Sequence, residues 1–271
     1  MMTTLRQAFM LDNGGVLSIV GAGGKTSLMY RLAHELAEDG DSVLTTTTTK
    51  IFRPETGQSA CVVLSDSVEA MLKQGESLLA QHRHITAAAG PAAMPEKLIG
   101  FAPEEVDLIW KSGLFRWIIV EADGAARLPL KAPAPHEPVF PTSTKEAIAV
   151  VGLSAVGKPL NDRTVFRPAI FSQLTGLAPE APIDAEAVGE ALLHPQGLFK
   201  GCPPHAVRSV FLNQADIPQG IDMGRRITAA ILTRKRTDLN RIVIGQARLT
   251  PPVLEVRSAI DKGDAYGFRN F

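Results

Sequence analysis

Cysteine is nearly absent: the 271 residues contain two, Cys61 and Cys202, far apart and in no C-x-x-C spacing. That excludes a disulfide framework and fits a reducing cytoplasm. Aromatic residues make up 6% of the chain, too few for a surface on which bases stack. Excess charge is lacking too, since 28 Lys and Arg face 28 Asp and Glu. Bulk electrostatic binding to nucleic acid or an anionic membrane is thereby excluded. No apolar run approaches a membrane span, and the N-terminus carries no basic-then-apolar signal peptide. The expectation is a cytoplasmic protein with neither nucleic acid nor membrane as partner. What is plentiful is apolar residue, 45%, enough to bury the core of one large domain or two intimate ones.

Apolar strands alternate with helical stripes. The first predicted strand is 16–20, and positions 28, 29, 32, 33 and 36 repeat at helical spacing over 26–38. Further strands are predicted over 42–44, 61–64, 84–88, 116–120, 147–151, 207–213 and 241–245. Further helices are predicted over 5–11, 67–81, 103–111, 167–175, 184–193 and 220–234. Ser65 or Asp66 is expected to cap the helix at 67. Residues 253–256 read as an edge strand, 127–145 as an irregular proline-rich stretch, and the last ten residues as a flexible, polar, glycine-rich end. Strand–helix alternation argues for a mainly parallel sheet with helices on both faces.

The chain is organised around the junction of the first strand and the first long helix, Gly21-Ala22-Gly23-Gly24-Lys25-Thr26-Ser27. Strand, glycine loop, Lys-Thr, helix is the build of a phosphate-binding loop. Glycines let backbone N–H groups approach a phosphate. The helix N-terminus adds partial positive charge and Lys25 a full one, while Thr26 is placed to hold magnesium. The spacing is G-x-x-G-K-T, shorter than G-x-x-x-x-G-K-[ST], because Ile19 stands where the first glycine of the longer pattern belongs. The expected fold is therefore α/β and P-loop NTPase-like. Its nucleotide-binding core covers 1–153, a mostly helical insertion covers 154–206, and 207–271 completes the core.

The other candidates fall at predicted strand ends. The apolar run 117–120 leads into Glu121, Ala122, Asp123 and Gly124. It delivers two carboxylates to the carboxyl edge of the sheet, where open α/β folds bind ligands. Glu121 and Asp123 are candidate magnesium ligands, although carboxylates also simply end strands. Residues 45–49 are five threonines followed by Lys50. Threonine suits a strand, yet this run also offers Thr49 as a metal ligand and Lys50 as a catalytic cation. Lys131 and His136, in a proline-stiffened loop, are candidates for contacting phosphate or substrate and for acid–base work. Asn213 and Asp216 resemble the guanine-reading N-K-x-D of GTP-binding proteins, with Gln214 in place of the lysine. Arg163 and Arg167 are weaker candidates for an anionic substrate. Cys202 and His205 have C-x-x-H spacing but no two further ligands for zinc.

Taken together, G-A-G-G-K-T at 21–26, T-T-T-K at 47–50, V-E-A-D-G-A at 120–125, the block at 128–141 and L-N-Q-A-D at 212–216 resemble the YqeC family. The resemblance spans nearly the whole chain. It implies a P-loop protein that prepares or inserts the labile selenium cofactor of molybdenum hydroxylases. The expected function is a Mg-dependent nucleotide-binding protein, either a nucleoside triphosphate hydrolase or a nucleotide-dependent transferase. Its expected cofactors are ATP or GTP with Mg2+. A second substrate is unknown, and a molybdenum hydroxylase or selenium-delivery protein is the expected partner. Lys25, Lys50, Asp123, Lys131 and His136 are expected to serve the transferred group. Two readings stay open beside it. One is a nucleotide-gated chaperone or scaffold without significant catalysis. The other is an ATP-dependent ligase or kinase on a small acid, because the short loop also resembles that of the Mur-type ligases.

Overall fold

The computed structural model describes residues 3–234, 238–259 and 269–270. A short helix, α1 (Leu5–Phe9), precedes β1 (Gly15–Gly21), whose seven residues are all buried. The glycine loop leads into α2 (Lys25–Glu38), then β2 (Val43–Thr47) and β3 (Lys50–Phe52). Next come β4 (Val62–Leu64), α3 (Val68–Leu79), β5 (His84–Ala88), β6 (Gly90–Pro91), β7 (Lys97–Ile99) and α4 (Pro103–Lys111). The carboxylate strand is β8 (Trp117–Glu121), followed by β9 (Leu130–Lys131) and the long β10 (Thr144–Gly152). Residues 154–206 contain β11 (Val165–Phe166), α5 (Pro168–Thr175) and α6 (Ala185–Leu193). The chain closes with β12 (Val207–Asn213), α7 (Gly220–Leu232), β13 (Leu239–Gly245), β14 (Val253–Ser258) and β15 (Arg269–Asn270).

The main sheet runs β15-β14-β13-β12-β10-β1-β8-β2-β5-β4. Every pairing from β4 across to β13 is parallel, and β14 and β15 add on antiparallel. Parallel strands covered on both faces read as continuous apolar runs, as β1 and β8 do. Leu17, Ile19, Ile119, Ile148 and Val150 join the core formed with α1 and α2. Their neighbours Val16, Val20, Ile118, Ala149 and Val151 join the core that includes Met71, Ile109, Phe171, Val188 and Ile231 from α3 to α7. Helices thus cover both faces, as the alternation predicts. β1 lies between β8 and β10, so the glycine loop and the carboxylates of β8 leave the sheet side by side.

Three details differ from the sequence expectation, and one expectation falls outside the described residues. Ser67, not Ser65 or Asp66, caps α3 through Ala70 N–H, while the Ser65 hydroxyl is spent on the Ser67 carbonyl and N–H. The proline-rich stretch is not wholly irregular, since β9 within it pairs in parallel with β11. β14 is not an edge, because β15 lies outside it. Of the ten last residues, only 269 and 270 fall among those described, and the expectation for the rest lies outside them. Among the described residues no helix is long and apolar enough to cross a membrane.

One buried titratable group sits in the core of the sheet. His84, 7% exposed, places Nε2 3.0 Å from Thr45 Oγ1 and packs near His34. Burial, helped by the neighbouring His34, lowers its pKa to about 4 from the usual 6.5. Between those values the unfolded chain binds the extra proton, so stability rises with pH there. The His84 contribution, up to about 3 kcal/mol, is complete above pH 6.5 and lost by pH 4. Melting curves of His84→Gln are expected to show a flatter dependence on pH across that window than those of the parent chain.

Candidate functional site

Loop geometry follows from its glycines. Gly23 has φ +79 and would drive a Cβ to 2.4 Å from Gly152 Cα; Gly24 has φ +127 and would drive one to 2.1 Å from the Asn213 amide. No side chain fits at either position. The first intrahelical bond of α2 is Leu28 N–H to Gly24 C=O, 2.9 Å, and no side chain caps the helix. Its leading N–H groups are therefore free of helical partners, and a phosphate is the natural group to satisfy them.

Lys25 heads this site and is 5% exposed. Its Nζ donates to Gly21 C=O at 2.8 Å and lies 3.2 Å from Asp123 Oδ1 and 3.6 Å from Glu121 Oε1. Burial alone would lower its pKa, but the two carboxylates offset that and raise it. The ammonium is charged at any physiological pH. Glu121 is held up mainly by burial, against the opposing pull of Lys25 and Thr26. Thr26 Oγ1 donates to Glu121 Oε2 at 2.7 Å, so two hard oxygens meet beside the loop. That donor set fits magnesium, with phosphate oxygens completing the shell. Among the described residues no group of three or more His, Cys, Asp or Glu could hold a metal without such help.

Asp123 takes a different place from Glu121. It is fully buried, and Oδ2 accepts from Gly21 N–H at 3.0 Å and from Lys131 Nζ at 2.9 Å. It braces the loop rather than opening toward a metal. Lys131 is likewise fully buried, and its three donors go to Asp123, to Gly124 C=O at 2.6 Å and to Glu137 Oε2 at 2.8 Å. All three of its donors are thus engaged within the chain. Glu137 accepts both guanidinium nitrogens of Arg167, at 2.6 and 3.2 Å. Against the upward push of burial, Arg167 and Lys131 bring its pKa down to about 2. Arg167 therefore meets a carboxylate of this chain rather than a substrate. His136 is exposed and is not part of the cleft's lining.

The threonine run fastens strand ends together. Thr46 Oγ1 donates to Ala87 C=O, Thr47 Oγ1 to Glu121 C=O and Thr48 Oγ1 to Val139 C=O. Thr49 Oγ1 lies 3.3 Å from Thr47 Oγ1. Asn213 donates its amide to Gly23 C=O at 2.7 Å and accepts from Ala247 N–H at 2.9 Å. It ties β12 and the loop after β13 to the phosphate loop. Burial raises the Cys202 thiol, leaving it protonated and inert.

A cleft of about 950 Å³ opens over the loop. It brings together Lys25, Thr26, Ser27, Glu121, Lys50 and Asp216. It also contains residues that motif reading missed: Arg53, Lys97, Arg127 and Arg248. Arg248 Nε donates to Ser27 Oγ at 3.1 Å. These cations are scattered over four segments with no shared spacing, so only the fold gathers them.

A glycine loop after the central strand, a Lys-Thr pair opening the helix and carboxylates ending the adjacent strand define a protein of the P-loop NTPase fold. The chain belongs to the YqeC family: the family model described as "YqeC protein" matches residues 17–169. Over 217 residues it is 37% identical to "Uncharacterized protein YqeC" of Escherichia coli (strain K12), covering 76% of this chain and 80% of that protein. Two crystal structures of FtsY from Mycoplasma mycoides align at 12% and 11% identity with TM-scores of 0.33 and 0.38. They cover 90% and 92% of this chain and 68% and 70% of theirs.

Proposed function

We propose that this chain is a Mg-dependent purine nucleoside triphosphate-binding protein with hydrolase activity. The observation that carries the reading is Lys25 folded onto Gly21 C=O beside the uncapped start of α2. A lysine held in this way by two carboxylates is preorganised for a triphosphate, which would replace the Gly21 carbonyl as acceptor. Thr26, with Glu121 directly or through water, would hold the magnesium, whose chemistry is to neutralise charge on the bridging phosphates. Asp216, exposed in the wall of the same cleft, supports guanine as the base. Membership of the YqeC family supports placing the activity in the maturation of selenium-dependent molybdenum hydroxylases. The division into a nucleotide-binding core and an insertion over 154–206 belongs to the same proposal.

A thermal-shift panel of ATP, GTP and CTP, each with and without magnesium, tests it. At a hundredfold excess over Kd a ligand stabilises by about 2.7 kcal/mol. GTP with magnesium is expected to give the largest shift. Asp216→Ala is expected to weaken GTP by about ten- to a hundredfold, the worth of a charge-assisted hydrogen bond, and to leave ATP unchanged. Equal shifts for all three nucleotides would remove guanine from the proposal.

One observation favours the nucleotide-gated scaffold. Ion pairs run unbroken from Lys25 through Asp123, Lys131 and Glu137 to Arg167 at the start of α5. Drawing Lys25 toward a phosphate leaves Asp123 with one cation fewer, and that change reaches 154–206 directly. Phosphate release by the purified protein that stays slow until a partner enzyme is added would select this second reading.

A further inference from the structure

The half of the cleft away from Asn213 and Asp216 is built from β3, β7 and the loop 124–128, and it is cationic. The lining as a whole carries six lysines and arginines against three carboxylates, in a chain whose charges otherwise balance. Four of the six, Lys50, Arg53, Lys97 and Arg127, line the wall that holds Phe52. Phe52 stands opposite Lys97 in the β3–β7 register. Lys97 Nζ lies 4.7 Å from the ring centroid and Arg127 Cζ 4.0 Å. Arg53 Nε donates to Pro95 C=O at 3.1 Å. Among the described residues none of the four makes an ion pair with a carboxylate. Gathering like charges around one ring without counter-charges costs stability.

A second, independent cost lies in the backbone. Ala126 and Arg127 are consecutive non-glycine residues at φ +48 and +62, a conformation worth about 1–3 kcal/mol of strain at each residue. The loop is held there from both ends. Lys131 Nζ donates to Gly124 C=O, and Gly23 N–H in the phosphate loop donates to Leu128 C=O at 3.1 Å. The small sheet is fixed as firmly. Gly100 N–H donates to Thr49 C=O, and a Cβ at Gly100 would fall 1.8 Å from Thr47 C=O. The cations are thus presented by rigid elements tied to the phosphate loop, not by free surface chain.

We propose that Lys50, Arg53, Lys97 and Arg127 around Phe52 form a second binding site, for a small phosphate-bearing molecule held beside the nucleotide. The site builds on the nucleotide reading, since both ligands share one cleft. The phosphate loop has its own cation in Lys25 and its own helix N-terminus, so the four further cations serve a separate anion. This relocates the second ligand from the Lys131–His136 segment, which is buried or turned away, to the small sheet.

The test is equilibrium binding of radiolabelled inorganic pyrophosphate to the full chain in three states. With the loop saturated by a non-hydrolysable GTP analogue and magnesium, one equivalent of pyrophosphate is expected to bind. Arg127→Ala and Lys97→Ala are expected to weaken it at least tenfold, while the affinity for the GTP analogue changes less than threefold. In Lys25→Ala, which disables the loop, pyrophosphate is still expected to bind, and still to be lost with Arg127→Ala. Circular dichroism of each variant confirms folding. Failure of the nucleotide reading alone would show as no analogue binding with the pyrophosphate site intact. No pyrophosphate bound to the analogue-saturated chain overturns the second site. So does equal weakening of the analogue by Arg127→Ala and Lys97→Ala, which would assign these cations to a single nucleotide.

Discussion

Replacing Lys25 by alanine is expected to abolish nucleotide binding while leaving a folded chain. In the parent the ammonium is 5% exposed and has one backbone acceptor and two carboxylate neighbours. Its hydrogen bonds to phosphate would be charge-assisted on both sides, roughly twice as strong as neutral ones. Losing two of them costs about 3–6 kcal/mol, or at least a hundredfold in Kd. Calorimetric titration with GTP and magnesium is the measurement, and undiminished affinity would remove the loop as the phosphate site. The fold survives because Asp123 keeps Gly21 N–H and Lys131, and Glu121 keeps the Thr26 hydroxyl. Lys25→Arg is expected to fail as well. A planar guanidinium lacks the compact geometry that lets the ammonium turn from Gly21 C=O to a phosphate.

Long periodic elements were legible because burial on two faces leaves an unmistakable mark. β1 and β8 are mostly apolar and buried along their whole length, and α2 repeats its stripe over fourteen residues. The small elements were not. β6, β7, β9 and β11 are two or three residues long, and no period can be counted in so few positions. β9 lay hidden in a proline-rich stretch because its partner, β11, comes more than thirty residues later. Register of that kind is a tertiary fact.

The site was legible where chemistry and chain continuity coincide. Gly21, Lys25 and Thr26 adjoin in sequence, and Glu121 follows a strand that could hardly lie anywhere but beside β1. Residue type misled where burial reversed a role. A lysine in a stiff loop suggests a contact to phosphate or substrate, but Lys131 is locked between Asp123 and Glu137, and Glu137 in turn onto Arg167. Five threonines suggest a metal surface, yet three of their hydroxyls answer backbone carbonyls of three neighbouring segments. The cationic wall was invisible for the opposite reason. Lys50, Arg53, Lys97 and Arg127 are ordinary surface residues until β3 and β7 pair.

Lys131→Met is expected to give the largest loss of stability of any single change in the site, about 3–5 kcal/mol. Nearly isosteric, methionine leaves little cavity, so the cost is electrostatic. Asp123 and Glu137, 0% and 6% exposed, would each lose a buried counter-charge, and Gly124 C=O would lose its donor. For a chain of this length each kcal/mol lowers Tm by about 2–4 °C, so the expected fall is about 6–20 °C. The sign of the coupling is the sharper test. Adding Glu137→Gln to Lys131→Met restores the charge balance of the cluster, although Arg167 then loses its carboxylate, and the double variant is expected to recover part of the loss. A double-mutant cycle by denaturant titration measures that interaction. Additive losses would mean that Lys131 and Glu137 act independently, and the continuous path from Lys25 to α5 would then be broken in energy even though it is unbroken in distance. Coupling of 1 kcal/mol or more would make Arg167 and α5 respond to whatever occupies the phosphate loop.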